Sequence, residues 1–359
     1  MITKLIVKNL NGKFDFNFDF YPDINIFTGK NGCGKTTVLK LIWYLTSGNI
    51  KQLFREISFE YVYFKSDNTE VEFTVKKDEE VNLRIISGFY KKEGYSIDFS
   101  EQYIGELDVP FSESLFSDRS LFFPTFRRIE GGFGIKEDYI IQGNQRLYLE
   151  GGNSLNSALK FIANNISVSN NKFIASISTI DIISLLNKKY TEVLEKTSKL
   201  EKEQSIEILN KTKNNKKDVG LLKEIEELVK NTDAEKNILM KPFTVLSDLI
   251  KEIFYDKSIK ITKSLTLGET RNAIISDKLS AGEKQMLGFL CYNFFSDNTS
   301  IFIDEPELSL HTDWQRILFP TLLEQSTENQ FFVATHSPFI YTQFLDKEHI
   351  LDIDKGEKK

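Results

Sequence analysis

A glycine-rich segment near the N-terminus constrains this chain more than any other feature of its sequence. Residues 29–37 read GKNGCGKTT, which fits the pattern G-x-x-x-x-G-K-[ST]. They follow the apolar run Ile24–Thr28 and precede residues 36–45, whose apolar side chains recur at helical spacing. Glycines allow backbone N–H groups to close around phosphate oxygens, and the start of the next helix adds its positive dipole end. The segment therefore predicts a phosphate-binding loop between a strand and a helix.

The residues of this loop have distinct expected roles. Lys35 is expected to reach the β- and γ-phosphates of a nucleotide, and the Thr36 hydroxyl is expected to ligate Mg²⁺. A glycine turn without a ligand is the alternative interpretation. The predicted nucleotide contacts in the loop are Asn31, Gly32, Cys33, Gly34, Lys35, Thr36 and Thr37.

Two acidic residues follow a second apolar run. Residues 301–303 are Ile-Phe-Ile, and Asp304 and Glu305 come directly after them. Ligands bind at the carboxyl ends of parallel strands, so both carboxylates are expected to face the nucleotide. We expect Asp304 to hold Mg²⁺ and Glu305 to act as the general base that activates water. Many strands simply end in solvated acids, and the pairing with the Lys35 loop is what favours a functional role.

His336 follows a third apolar run, residues 331–334. A neutral imidazole at that strand end could hydrogen-bond the γ-phosphate and the attacking water. A lone histidine is usually a satisfied surface or core residue, but this chain has only three histidines. We therefore place His336 with Lys35 and Glu305 among the predicted catalytic residues.

Composition excludes several classes of protein. Hydrophobic residues make up 40% and charged residues 27% of the 359-residue chain, as in a soluble protein with a sizeable core. No apolar run approaches the length of a membrane span and no signal peptide is visible, so we expect a cytoplasmic protein with no membrane partner. Cys33 and Cys291 lie far apart, which argues against a disulfide framework. The net charge of −6 argues against a protein that is basic all over but allows a local basic groove.

The two ends of the chain carry strand and helix patterns. The four phenylalanines at even positions from 14 to 20 alternate with Asp and Asn, and short strand patterns follow at 61–64, 71–75 and 81–86. They predict an antiparallel meander beside the strand–loop–helix unit. The predicted fold class is α/β, with a mixed sheet and an antiparallel β-subdomain, split by a helical-hairpin insertion.

The middle of the chain supplies that insertion. No aromatic residue occurs between Tyr190 and Phe243, and residues 188–230 contain 11 basic and 9 acidic side chains. Apolar residues keep a helical spacing there, and turn-forming residues interrupt it at 214–220. We predict a projecting helical hairpin, with a solvated helix pair of no binding role as the alternative. The predicted domains are residues 1–154 and 256–359 for the two ATPase lobes and 155–255 for the insertion.

A serine–glycine turn completes the set of motifs. Residues 279–285 read LSAGEKQ, in which Ser280, Gly282 and Glu283 open a helix. Alone, this turn could be an ordinary N-cap with a glutamate at the third helical position. Its place between the phosphate-binding loop and the Asp-Glu pair is what makes it informative.

In the order of its motifs the sequence resembles the ATP-binding-cassette (ABC) ATPases. The segment EPELSLH at 305–311, together with GEKQ in the serine–glycine turn, resembles their RecF/SMC-like branch, the AAA_15 and AAA_21 families, rather than transporter subunits. Within that branch the short chain and small helical insertion resemble the ATPase subunits of bacterial anti-phage systems such as Septu and PARIS.

The resemblance implies an ATPase with an ABC-type nucleotide-binding domain that uses ATP and Mg²⁺. In that family the signature of one subunit caps the γ-phosphate held by the other, so Ser280, Gly282 and Glu283 would bind nucleotide across a homodimer. It also implies a sensor or scaffold subunit that controls a separate effector, a toxin or a nuclease of Toprim-like, DUF4435-like or HNH type. Assembly beyond a dimer and contact with nucleic acid are open.

The chain departs from the family pattern in two places. A glutamine loop is not readable, and the nearest segment, residues 122–132, holds Arg127 and Arg128, which could meet nucleotide, nucleic acid or surface acids. Only 23 residues follow His336, so the Toprim nuclease that overcoming-lysogeny relatives carry there is not expected in this chain.

Two functions are compatible with these motifs. One is an ATP-driven switch in anti-phage defence, and the other is a RecF/SMC-like DNA-binding ATPase in repair or recombination. Residue chemistry does not separate them, because both use the same ATP-hydrolysing site. A transporter motor is disfavoured by the charged helical insertion.

Overall fold

A computed structural model describes most of the chain. The described residues are 1–77, 84–92, 95–103, 118–125, 128–129, 139–142, 145–148, 154–177, 179–214, 220–253, 279–325 and 327–351. They form two compact units, one of Met1–Ile177 with Ser296–Lys359 and the other of Ser178–Phe295.

Strands and helices are numbered here in chain order. The strands are β1 (Ile2–Leu10), β2 (Phe14–Asp19), β3 (Ile24–Thr28), β4 (Tyr61–Ser66), β5 (Thr69–Lys77), β6 (Arg84–Lys92), β7 (Tyr95–Tyr103), β8 (Arg119–Phe123), β9 (Arg128–Ile129), β10 (Tyr139–Gln142), β11 (Gln145–Tyr148), β12 (Asn171–Phe173), β13 (Ser176–Ile177), β14 (Thr299–Asp304), β15 (Gln330–Ala334) and β16 (Glu348–Ile350). The helices are α1 (Lys35–Ser47), α2 (Ile50–Glu56), α3 (Ser154–Ile166), α4 (Thr179–Asn214), α5 (Gly220–Ile253), α6 (Ala281–Phe294), α7 (Thr312–Glu324) and α8 (Pro338–Tyr341).

The first unit contains an antiparallel sheet with the strand order β2-β1-β4-β5-β6-β7. Consecutive strands from β4 to β7 pair as neighbours, which confirms the predicted meander. Gly88 on β6 sits at a register shift opposite β5. A Cβ atom there would lie 1.9 Å from the carbonyl oxygen of Glu72, so the close approach of the two backbones requires glycine.

A second, parallel sheet holds the predicted motifs. Its order is β12-β8-β14-β15-β3-β16, and each of its strand pairs is parallel. Every residue of β3, β14 and β15 is buried, as expected for central strands of a parallel sheet, which read as continuous apolar runs. Because the strands run in one direction, the segments that follow β3, β8, β14 and β15 meet at the same edge of the sheet.

Helix α1 is the centre of the core. Ten of its thirteen residues are buried, and they pack in one cluster with side chains of both sheets. The Trp43 ring lies 5.2 Å from Phe122 and 5.7 Å from Phe173, centroid to centroid, and its Nε1 donates to Ser120 Oγ at 3.0 Å. This packing holds the start of α1 against the carboxyl edge of the parallel sheet.

The alternating phenylalanines of β2 form a stacked row. Neighbouring rings from Phe14 to Phe20 have centroids 5.3–5.9 Å apart, which confirms the period of two predicted for this strand. Phe18 and Phe20 also contact His349 on β16. Burial among these rings lowers the pKa of His349 to about 4, so this histidine is neutral at neutral pH.

The second unit consists of α4, α5 and α6. Salt bridges join Lys211 to Glu224 at 3.0 Å and Lys236 to Glu201 at 2.8 Å, so α4 and α5 run antiparallel as a hairpin. The buried apolar residues of the hairpin lie only at its open end, where both helices meet α6: Ile182, Leu186, Phe243, Leu246 and Ile250. The predicted domain limits stay a prediction; α3 belongs to the first unit and α6 to the second. Among the described helices, none pairs sufficient length with sufficient apolar character to cross a membrane.

Candidate functional site

The glycine-rich loop connects β3 to α1, as the sequence predicted. Gly32 and Gly34 have φ angles of +81° and +96°, a region that other residues rarely adopt. Gly34 is the N-cap of α1, and no side chain caps this helix. The first N–H groups of α1 therefore lack the usual side-chain acceptor, and a helix start of this kind favours an anion. A Cβ at Gly32 would meet nothing within 4 Å, so the loop is open on that side.

Lys35 lies inside the loop. Its side chain is buried, and Nζ donates to the carbonyl oxygens of Gly29 at 3.0 Å and Lys30 at 3.1 Å. Cys33 Sγ is 3.8 Å from the same ammonium. The loop backbone thus fixes a positive charge beside the uncapped start of α1, and both features suit the phosphates of a nucleotide. Asn31, Thr36 and Thr37 lie on the same loop and first helical turn.

Asp304 is joined to the phosphate-binding loop through hydroxyl groups. The Thr36 hydroxyl lies 3.1 Å from Oδ1 and 2.9 Å from Oδ2 of Asp304. Thr125, two residues beyond β8, donates its hydroxyl to the same carboxylate. One carboxylate beside hydroxyl oxygens is a hard donor set that suits Mg²⁺, which commonly takes one or two carboxylates and completes its shell with phosphates and water. Within the described ranges no three His, Cys, Asp or Glu side chains form a metal-binding group.

Thr125 was not predicted from the sequence. It lies in the segment considered for the glutamine loop, directly after an apolar strand and a proline. β8 pairs with β14, with Phe123 opposite Ile303, which brings Thr125 to the level of the acidic pair. A hydroxyl at the end of a buried strand is the only sequence signal that it carries.

Glu305 occupies a strained backbone position directly after β14. Its φ angle is +49°, unusual for a residue with a side chain, and its N–H donates to the Ala334 carbonyl at 2.8 Å. Burial raises the pKa of the Glu305 carboxyl, and the charges of Asp304 and Glu307 raise it further. Lys35 and His336 act in the opposite direction. A carboxylate with a raised pKa holds a proton more readily than an ordinary glutamate, which suits a general base.

His336 follows β15 and its side chain is exposed. Its backbone N–H donates to Glu307 Oε1 at 2.7 Å, and the Thr335 hydroxyl donates to Glu307 Oε2 at 2.8 Å. The structure therefore brings Lys35, Thr36, Asp304, Glu305 and His336 to one edge of the parallel sheet. Glu307 is a second residue whose contacts were not predicted, although it lies in the quoted segment EPELSLH.

The serine–glycine turn belongs to the second unit. Ser280 is the N-cap of α6: its Oγ accepts from the Glu283 N–H at 3.3 Å, and its own N–H donates to the Glu283 carboxylate at 2.6 Å. This reciprocal arrangement is the helix cap considered as the alternative from the sequence, and it leaves Ser280 exposed. The predicted role of Ser280, Gly282 and Glu283 at a nucleotide stays a prediction.

The predicted arginine contacts lie at the limit of the described residues. Arg127 lies outside them, and only the backbone of Arg128 is described, in the short strand β9. Their alternative roles stay predictions.

The parallel sheet, the loop between β3 and α1, and Asp304 at the end of β14 define a P-loop nucleotide-binding domain. Residues 24–341 match the family AAA_21, described as "AAA domain, putative AbiEii toxin, Type IV TA system". The chain belongs to this family, which confirms the branch indicated by the motifs.

Two curated relatives match parts of the chain. Endonuclease GajA of Bacillus cereus (strain VD045) is 36% identical over 83 residues, 21% of this chain and 14% of the relative. The Retron Vc95 probable ATPase of Vibrio cholerae serotype O1 biovar El Tor is 26% identical over 161 residues, 39% of this chain and 31% of the relative. The matches thus span less than a third of either relative.

Solved structures with similar folds include two ATP-binding head domains. The Smc head domain of Pyrococcus furiosus, bound to the C-terminal domain of ScpA, matches 95% of this chain and 91% of its own at 15% identity, with a TM-score of 0.37. The recombination mediator protein RecF matches 95% of this chain and 94% of its own at 14% identity, also with a TM-score of 0.37.

Proposed function

We propose that this chain binds ATP together with Mg²⁺ and hydrolyses the bond to the terminal phosphate. The observation that carries this proposal is the contact of Thr36, on the phosphate-binding loop, with Asp304 at the end of β14. That contact joins the hydroxyl and the carboxylate expected to hold Mg²⁺ beside the buried ammonium of Lys35.

In the proposed reaction each residue has one task. The loop N–H groups and the Lys35 ammonium bind the phosphates and balance their charge. Thr36 and Asp304 hold Mg²⁺, which when bound neutralises charge on the phosphate oxygens. Glu305 accepts a proton from the attacking water as the bond between the β- and γ-phosphates breaks, and His336 orients that water and the γ-phosphate. The products are ADP and inorganic phosphate.

Replacement of Asp304 tests the metal-binding part of this proposal. Asp304→Asn keeps the size of the side chain but removes the charge that Mg²⁺ needs, so we expect the hydrolysis rate to fall by about 10²-fold or more. The matched control is Asp313→Asn, an exposed residue at the start of α7, which should leave the rate unchanged.

Phosphate release is measured across a Mg²⁺ titration, and EDTA should abolish it in the wild-type protein. Normal turnover by Asp304→Asn at low Mg²⁺ would remove Asp304 from the metal site.

We further propose that the ATPase is the sensor or scaffold subunit of an anti-phage system and controls a separate nuclease or toxin. The names of its relatives support this, since one is an endonuclease and the other the probable ATPase of a retron. Ser280, Gly282 and Glu283 would complete a nucleotide site across an ATP-bridged homodimer. Co-expression with the neighbouring genes, followed by light scattering with and without ATP, tests whether a stoichiometric complex forms.

The helical hairpin is the proposed partner-binding element. Residues 195–235 contain none of the buried apolar side chains of the second unit, so their deletion should leave nucleotide binding and basal ATPase activity close to wild type. The same deletion is expected to abolish co-elution with the partner. The measurement combines phosphate release with size-exclusion chromatography of the co-expressed proteins, and loss of folding on deletion would contradict the assignment.

A further inference from the structure

The most informative cluster not yet used lies between the segments that follow β14 and β15. Glu307 accepts two hydrogen bonds from the second segment, one from the Thr335 hydroxyl at 2.8 Å and one from the His336 N–H at 2.7 Å. Both donors are neutral groups, and each carboxylate oxygen takes one of them. The carboxylate therefore spans two consecutive residues of the histidine segment.

A second connection runs parallel to the first. Gln315 on α7 donates to the Leu310 carbonyl at 2.9 Å and accepts from the Ser337 hydroxyl at 2.6 Å. The Ser337 N–H in turn donates to the Thr335 hydroxyl at 3.0 Å. Glu307 and Gln315 thus hold residues 335–337 against residues 305–311, one on each side of His336.

The histidine segment does not need Glu307 merely to keep its fold. The Thr335 N–H already donates to the Phe27 carbonyl at 3.1 Å, and the Ser337 hydroxyl accepts from the Phe339 N–H at 3.2 Å at the start of α8. What Glu307 adds is a contact to the backbone of His336 itself, whose side chain is exposed. A carboxylate that ties this one backbone position determines where the imidazole can stand.

The same carboxylate lies close to Glu305. Glu307 is two residues further along the chain, its carbonyl accepts from the Leu310 N–H at 3.0 Å, and the Glu305 N–H is tied to β15 through Ala334. Residues 305–311 therefore form a turn that is fixed at one end to β15 and, through Glu307, to the residues just beyond it.

We propose that Glu307 is a positioning residue, whose carboxylate sets the backbone of His336 relative to Glu305 so that both side chains face the same phosphate. This inference rests on the proposed ATP hydrolysis and names a residue on which that reaction depends. Glu307 acts through His336 and touches neither nucleotide nor water itself.

The first test compares kcat with KM. Glu307→Ala removes both contacts, and we expect kcat to fall by about 10- to 100-fold, the loss that a misplacement near 1 Å produces, while KM changes by less than about threefold. The matched control is Glu324→Ala, an exposed glutamate at the end of α7, which should change neither constant.

The second test asks whether the effect passes through His336. In a His336→Ala background, Glu307→Ala should reduce kcat by less than about twofold, because residues that act as a unit are not additive. An equal loss in both backgrounds would overturn the inference, since Glu307 would then act by another route.

A third readout needs neither nucleotide nor turnover. The chain has three histidines, so ring signals from ¹³C-labelled histidine are few, and that of His336 is assigned by its loss in His336→Ala. Glu307→Ala should shift or broaden the His336 signal, while buried His349 serves as an internal reference. An unchanged His336 signal would overturn the inference.

Glu307→Gln keeps the inference testable if the alanine variant does not fold. Glutamine keeps the size and one acceptor oxygen, so the fold should persist while one contact to the histidine segment is weakened. A shifted His336 signal with lower kcat and unchanged KM supports the proposal, and wild-type values overturn it. Wild-type protein and Glu305→Gln are measured in parallel: if the wild type does not hydrolyse ATP, the proposed function itself fails, whereas normal wild-type turnover with an unaffected Glu307→Ala rejects Glu307 alone.

Discussion

Replacement of Glu305 by glutamine is expected to slow ATP hydrolysis by about 10²- to 10⁴-fold, the usual contribution of a positioned general base. Glutamine keeps the size of the side chain but cannot accept the proton of the attacking water. The affinity for ATP should stay close to wild type, because Lys35, Thr36 and Asp304 are unchanged. Single-turnover hydrolysis and equilibrium binding of ATP measure the two quantities separately.

The pH dependence of the rate provides a second check on Glu305. Its pKa is raised by burial and by the neighbouring carboxylates, and only the ionised form can act as a base. The wild-type rate should therefore fall as pH drops through this raised pKa, and the glutamine variant should lack that limb. Glu324→Gln, at the exposed end of α7, is the matched control. Turnover by Glu305→Gln within twofold of wild type would assign the base to another group.

Replacement of Lys35 by alanine is expected to have the largest effect on binding. Lys35 is buried in the phosphate-binding loop, and its ammonium donates to two loop carbonyls. Each lost hydrogen bond to a charged phosphate is worth about 1.5–3 kcal/mol, so the Kd for ATP should rise by about 10²-fold or more. Hydrolysis should be lost with it.

Lys40→Ala is the control for that experiment. Lys40 lies on the same helix, but it is partly exposed and pairs with Glu56 at 3.1 Å. Its removal should change the stability only slightly and the Kd not at all. Calorimetric titration with ATP and a thermal melt of each variant separate lost binding from lost folding, and wild-type affinity in Lys35→Ala would contradict the proposed phosphate site.

Much of the first unit could be predicted from local sequence. The run Ile24–Thr28, the glycines and the helical spacing that follows produced the strand, loop and helix of the phosphate site, because each depends on contacts between near neighbours in the chain. The alternating phenylalanines of β2 were predicted for the same reason. The reciprocal cap formed by Ser280 and Glu283 also follows from local spacing.

Thr125 and Glu307 could not be predicted in the same way. The contact of Thr125 with Asp304 depends on β8 lying beside β14, and these strands are far apart in sequence. Glu307 meets Thr335 and His336 only because β14 and β15 are neighbours. A hydroxyl or carboxylate after an apolar strand carries no local sign of which other strand it will face.

The sequence by itself determined the phosphate-binding loop, the acidic strand end and the family, because those are patterns of adjacent residues with a direct chemical meaning. The tertiary structure alone decided which side chains surround Asp304 and what holds His336. The physical reason is the order of the parallel sheet, β12-β8-β14-β15-β3-β16, which follows from packing both faces of the sheet rather than from the order of the strands in the chain.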